Sequence, residues 1–181
     1  MAMVTRLVGP QGRGSGAQRA EGLLEQGIQL VILGNGEHAY EAFFSDLAAR
    51  HPGRVGVYIG FVPPLARRIY AGADMFLMPS KSEPCGLAQM VACRYGTIPI
   101  VRETGGLRDS IHDSGDGYGN GFTFSQYNAH DLYEACWRAK EGYWQKEGWP
   151  VLVRRAMCCD FSWNVSAQSY IDMYNQVTTL W

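Results

Sequence analysis

The sequence is short of unbalanced charge: 16 Lys and Arg against 17 Asp and Glu leave a net charge of −1 over 181 residues. Such a chain carries no electrostatic footprint for nucleic acid or for an anionic membrane surface, so neither partner is expected. No uninterrupted apolar run is long enough to cross a bilayer. The opening stretch MAMVTRLVGPQGRG has no basic region followed by an apolar segment of signal-peptide length, and a cytoplasmic location is expected. The five cysteines (85, 93, 136, 158 and 159) form no C-x-x-C pair, and the four histidines (38, 51, 112 and 130) are scattered. That excludes zinc-finger spacing and offers no disulfide framework; reduced thiols and no metal site are expected.

What is present is an alternation. Short apolar, β-branched runs predict strands at 3–8, 28–34, 54–60, 74–79, 97–101 and 121–124. Helical patterns lie between them. Residues 38–50 place Ala39, Phe43, Phe44 and Leu47 on one face, and 63–72 place Leu65, Ile69 and Tyr70 similarly. Residues 87–95 carry Leu87, Met90, Val91 and Tyr95. Gly53, Gly72 and Gly96 fall where helices should stop, and Gly34 and Gly36 read as a turn after the second strand. Several strands are apolar throughout, which suggests burial on both faces of a parallel sheet. Beyond residue 125 only helices are predicted, at 128–145, 149–158 and 164–178. The fold class is therefore α/β: a Rossmann-like, doubly wound parallel sheet of about six strands over residues 1–125, with a helical C-terminal extension over 126–181.

In such a sheet, ligands collect beyond the carboxyl ends of the strands, where each loop feeds a helix whose free N–H groups favour an anion. Two loops stand out there: SKSEPCGLAQM (80–90) and ETGGLRDS (103–110). Together they suit a phosphate ester. Glu83 would repel phosphate and makes more sense facing the hydroxyls of a sugar. Blander roles exist for each residue. Glu83 could cap the following helix, Gly105 and Gly106 could only shape a turn, Phe61 could be core, and Arg6 could be a surface charge. Cys85 has no histidine at a suggestive distance, so catalysis through its thiol is not expected. Trp137, Trp144, Trp149 and Trp163 are expected to pack, although an exposed one could stack on a sugar ring. A rival enzyme reading comes from GRGSGA (12–17), which fits G-x-G-x-x-A with Glu37 about 20 residues on, as in dinucleotide-binding dehydrogenases. It starts late relative to the strand end.

The run PSKSEPCGLAQMVACRYGTIPIVRETGGLRDSI (79–111) closely resembles the donor-binding segment of bacterial glycogen synthases and plant starch synthases. VGVYIGF, IYAGADMFLMPS, GNGFTF and DFSWNVSAQSYIDMY extend the likeness over about residues 1–178. The resemblance implies a retaining glycosyltransferase of the GT-B type, with a nucleotide sugar held between two Rossmann-like lobes. It implies transfer of glucose from ADP-glucose to the non-reducing end of an α-1,4-glucan, with no metal or other cofactor. The chain looks like the C-terminal lobe alone, without the N-terminal acceptor lobe, so it is expected to be inactive by itself. Carried onto this sequence, Glu83 faces the glucose hydroxyls, and the backbone amides of Cys85, Gly86 and Leu87 lie against the donor. Thr104, Gly105 and Gly106 lie close to the diphosphate; Gly34, read from the residues alone, either shapes its turn or lies near a ligand. Phe61 stands against the nucleobase, and Arg6 neutralises charge on the departing diphosphate.

The chain also departs from the family. The pattern R-L-x-x-Q-K-G-x-D pairs the arginine with a lysine five residues later, but here Gln11 takes the lysine's place and Gly14 the aspartate's. The length from Arg6 to LLEQ is still that of the family, as if the reading frame had slipped locally. Ala88 stands where a hydroxyl residue is common. Four glycines between 12 and 22 should weaken the first helix by roughly 1 kcal/mol each, as far as it extends. These departures leave a second reading open: a stand-alone nucleotide-binding module or an inactive fragment.

Overall fold

A computed structural model describes residues 1–7 and 15–178; Gln11, Gly14 and the start of GRGSGA lie outside the described residues. The elements are β1 (Ala2–Leu7), α1 (Ser15–Glu25), β2 (Leu30–Gly36), α2 (His38–Arg50), β3 (Val55–Ile59) and α3 (Pro63–Gly72). They continue as β4 (Met75–Met78), α4 (Ala88–Tyr95), β5 (Ile98–Arg102), α5 (Gly106–Ser110) and a 3-10 turn, Ser114–Asp116. The last four are β6 (Phe122–Phe124), α6 (Ala129–Trp144), α7 (Gly148–Met157) and α8 (Trp163–Thr178). Every strand pairing is parallel, in the order β3-β2-β1-β4-β5-β6. Right-handed crossovers then put α1 and α2 on one face and α3, α4 and α5 on the other. α6 returns to pack on α1, and α7 touches both α4 and α6.

The predicted apolar strands are the central ones. Met75, Phe76 and Leu77 of β4, the first four residues of β5 and all of β6 are buried. Leu23 and Leu24 of α1, Leu47 of α2 and Leu132, Ala135, Cys136 and Ala139 of α6 close one layer. Ile69 and Tyr70 of α3 join Phe76, Leu33 and Ala92 in another. Burial pushes the Cys93 and Cys136 thiols up to about 12, so both are inert core groups.

Three predictions from the sequence need correcting. Gly34 and Gly36 are not a turn: β2 runs through both, and a Cβ on either would overlap the carbonyl of Thr5 or Leu7 in β1. They are glycines because two strands approach there, a reason that local sequence does not reveal. Gly72 and Gly96 do fall at helix ends as expected: Gly72 is the last residue of α3, without a positive φ, and Gly96 ends α4 in the left-handed region at φ 78°. The face predicted for α4 is also wrong. Leu87, Val91 and Tyr95 are exposed, and the helix meets the sheet through Gln89, Ala92 and Cys93. Small side chains let the helix sit close to the strands, so bulk was the wrong signal for which face is covered. Packing is likewise not the role of Trp137, Trp144 and Trp163, which are exposed, while Trp149 lies partly buried against the core.

α8 has no buried residue along its 16-residue length. Among the described residues, no helix is long and apolar enough to cross a membrane.

One ionic network ties α6 to β6 at the outer edge of the sheet. Arg138 of α6 donates to both Asp113 carboxylate oxygens at 2.9 and 2.8 Å and to the Thr123 carbonyl at 2.7 Å. Asp113 also accepts from the Thr123 and Gly115 N–H groups. Burial raises the carboxyl's pKa, but Arg138 and those two N–H groups outweigh it, and the net direction is down. A depressed carboxylate stabilises the fold above its unfolded value, near about 3.9, and loses that contribution as pH falls through the lower folded value. Asp113→Asn should therefore cost about 1 to 2 kcal/mol in urea unfolding at pH 7. The gap from wild type should narrow at pH 3; a gap independent of pH would show that the charge contributes nothing.

Candidate functional site

The order of strands reverses between β1 and β4, and this switch point is where a doubly wound sheet opens a crevice beyond its strand ends. Arg6 stands near the end of β1, exposed, opposite Asn35 in register, and its guanidinium has no carboxylate partner among the described residues. On the other side of the switch, β4 runs into the loop that carries Glu83, Cys85 and Gly86. β5 feeds the loop with Thr104, Gly105 and Gly106. Phe61 follows β3 and is 84% exposed, so the core role weighed for it is wrong.

The two loops touch backbone to backbone. The Gly106 N–H donates to the carbonyls of Glu83 and Pro84 at 3.1 and 3.2 Å. A Cβ at Gly105 would overlap the Glu83 carbonyl, and one at Gly106 would overlap the Cys85 carbonyl. Gly105 also holds φ 47° with ψ −135°, and Gly86 holds φ 72°, backbone that side chains disfavour. The glycines therefore do more than shape a turn. They weld the loops into one surface. Arg102 braces it from the side, donating to the Lys81 carbonyl at 2.7 Å and the Ser125 carbonyl at 3.1 Å with its guanidinium 5.6 Å from the Tyr127 ring centre.

Glu83 is half-buried, and its carboxylate accepts no hydrogen bond from the described residues. The capping role is excluded, because the N-cap of α4 is Leu87 and the helix has no side-chain cap. α2, α3 and α5 also start without a side-chain cap, whereas α6 is capped by Asn128, which accepts from the Asp131 N–H at 2.8 Å. α3 opens on Pro63 and Pro64, which have no N–H, and the Gly106 N–H of α5 is already engaged, so the first turn of α4 is the one beside Glu83 whose N–H groups suit an anion. Glu103 is tied down by Thr123 Oγ1, which donates to its Oε1 at 2.6 Å. Cys85 is exposed, and its thiol meets only the Gly86 carbonyl, at 3.7 Å. Among the described residues, no cluster of His, Cys, Asp or Glu could hold a metal ion.

Gln89, Ser110 and Arg102 are not singled out by the sequence. Gln89 is wholly buried beneath the first loop, and its spacing to Ala92 and Cys93 was the signal for a covered face. An open concavity of about 740 Å³ lies one step around the rim among Glu103, Arg108, Asp109, His112, Asp113 and Asp116. It does not contain Glu83. The rim at the switch point is a shelf, and its chemistry rather than its depth marks it.

A family model described as glycosyl transferases group 1 matches residues 17–150. The glycogen synthase of Geobacillus thermodenitrificans (strain NG80-2) is 50% identical over 179 residues, covering 98% of this chain and 37% of that protein. That of Desulforudis audaxviator (strain MP104C) is 50% identical over 177 residues, 96% of this chain and 35% of that protein. Among solved structures, the catalytic domain of starch synthase IV from Arabidopsis thaliana, bound to ADP and acarbose, superposes with a TM-score of 0.83. It is 37% identical over 97% of this chain and 37% of that one. The chain thus spans little more than a third of the length of these relatives.

Proposed function

Because the chain belongs to the group 1 glycosyltransferases, we propose that it is the donor-binding lobe of a glucosyltransferase of the glycogen and starch synthase type. The reaction is transfer of glucose from ADP-glucose to the non-reducing end of an α-1,4-glucan, with retention, completed by a second lobe that brings the acceptor. The starch synthase relative bound to ADP supports an adenine nucleotide here. The dinucleotide reading of GRGSGA has no support from the family.

The observation that carries the proposal is the unengaged Glu83 carboxylate beside two glycine-welded loops. Glu83 accepts hydrogen bonds from glucose hydroxyls. The amides of Cys85, Gly86 and Leu87 and the turn at Thr104, Gly105 and Gly106 receive the donor and its diphosphate. Arg6 offsets charge as the diphosphate leaves, and Gly34 serves through the shape of the rim. Helix N-termini and arginine, rather than a metal, carry the phosphate charge.

Calorimetric titration with ADP tests the site. Heat of binding at the rim is expected, and elongation of a glucan is expected only when an N-terminal lobe is supplied. No binding of ADP or ADP-glucose would overturn the donor role; glucose incorporation by the lone chain would overturn the need for a second lobe. A second reading, nucleotide binding without turnover, is favoured by Gln11 in the place of the family's lysine.

Phe61 gives a narrower test. Base stacking on an aromatic ring contributes about 1 to 3 kcal/mol, so Phe61→Ala should weaken ADP binding by about tenfold. Because the ring is exposed, stability should change by no more than about 0.5 kcal/mol. Unchanged ADP affinity would remove Phe61 from the site.

A further inference from the structure

Gln89 is 0% exposed in the first turn of α4. Its Nε2 lies 3.0 Å from the Gly86 carbonyl, 3.3 Å from the Cys85 carbonyl and 3.1 Å from Ser110 Oγ. Ser110 in turn donates to the Gly106 carbonyl at 2.6 Å. A continuous line of hydrogen bonds therefore runs from the Glu83–Gly86 loop, through one buried amide and one hydroxyl, into the Thr104–Gly106 loop.

The remaining amide atom is informative. Oε1 of Gln89 is buried with no partner among the described residues. The reverse orientation of the amide is excluded by chemistry, since it would set an oxygen against two carbonyls that can only accept. A methionine would fill similar space and leave no unpaired polar atom. The side chain is thus costly as packing and useful only for the two hydrogens it donates. Those hydrogens hold the Cys85 carbonyl where the first loop meets Gly106.

We infer that Gln89, acting with Ser110, is the positioning residue that sets the spacing between the two loops of the donor site. This rests on the donor-lobe reading above. Gln89 does not touch the nucleotide; it fixes how far the amides of Cys85 to Leu87 stand from the turn at Thr104 to Gly106. A diphosphate spanning both loops would sense that spacing.

The test combines ADP calorimetry with amide hydrogen exchange at Gly106, whose N–H joins the loops. Ser110→Ala should weaken ADP by about fivefold, as the loss of one hydrogen bond does. Gln89→Met should weaken it by at least about tenfold, losing both donated hydrogens, and should speed Gly106 exchange while the variant still melts cooperatively. Gln89→Glu distinguishes positioning from packing. Its carboxylate repels the two carbonyls at pH 8, but its protonated form donates again, so ADP affinity should recover toward pH 5 relative to wild type over the same range. Unchanged Gly106 exchange and ADP affinity in Ser110→Ala and Gln89→Met would overturn the inference, as would a Gln89→Glu profile parallel to wild type. Should Gln89→Met fail to fold, Ser110→Ala and the pH profile decide. Should wild type bind no ADP, the donor reading falls, and Gly106 exchange alone decides whether Gln89 sets the loops.

Discussion

Gly105→Ala is expected to destabilise the chain by about 3 to 4 kcal/mol and to abolish ADP binding. Two costs combine. The backbone at φ 47° and ψ −135° is one that a side chain enters only with strain, typically about 1 to 3 kcal/mol. The new Cβ must also displace the Glu83 carbonyl, which is main chain and cannot swing aside as a side-chain tip would. Overpacking of that kind costs about 1 to 3 kcal/mol more. Against a total stability of about 5 to 15 kcal/mol, the loss is large and should show as an earlier urea midpoint. Gly117→Ala is the control, because Gly117 has φ 82° but open space around a Cβ. It should cost only about 1 to 2 kcal/mol and spare ADP binding. If the two substitutions cost the same, the loops are not pressed together as described.

Gln11→Lys carries the largest kinetic effect. With an N-terminal lobe supplied, it should raise the rate of glucan elongation about a thousandfold. A neutral amide cannot balance the negative charge gathering on a leaving diphosphate, and one such contact contributes about 3 to 4 kcal/mol to the transition state. Gln11→Met should give no gain, because charge rather than length is what is missing. Arg6→Ala in the lysine-bearing variant should remove most of the gain, as expected for two cations acting on one leaving group. The measurement is incorporation of labelled glucose from ADP-glucose into an oligosaccharide primer. A lysine variant no faster than its parent would show that position 11 plays no part in stabilising the leaving group.

Much of the architecture was legible because burial on both faces of a parallel sheet writes itself as apolar runs. All six strands appear within two residues of their predicted ends. Legibility stopped where the cause lay elsewhere in the chain. Gly34 and Gly36 look like a turn locally, but β1 is the reason they are glycines. α5, five residues after a glycine pair, is too short to show a period. α4 was turned the wrong way because its covered face is made of small and polar residues. The site follows the same rule. Glu83 and the Thr104–Gly106 turn stand in contiguous motifs and could be singled out from sequence as candidates. Gln89, Ser110 and Arg102 act between loops through bonds that span 21 to 23 positions and that no local spacing announces.

The last helix, bare along all sides, has an energetic corollary. A solitary segment of that size is marginal in water, since its initiation is unfavourable and nothing repays it. It therefore adds almost nothing to the free energy of the sheet beneath. Chymotrypsin should clip the chain near Phe161 and Trp163 and leave a core that melts at an unaltered temperature.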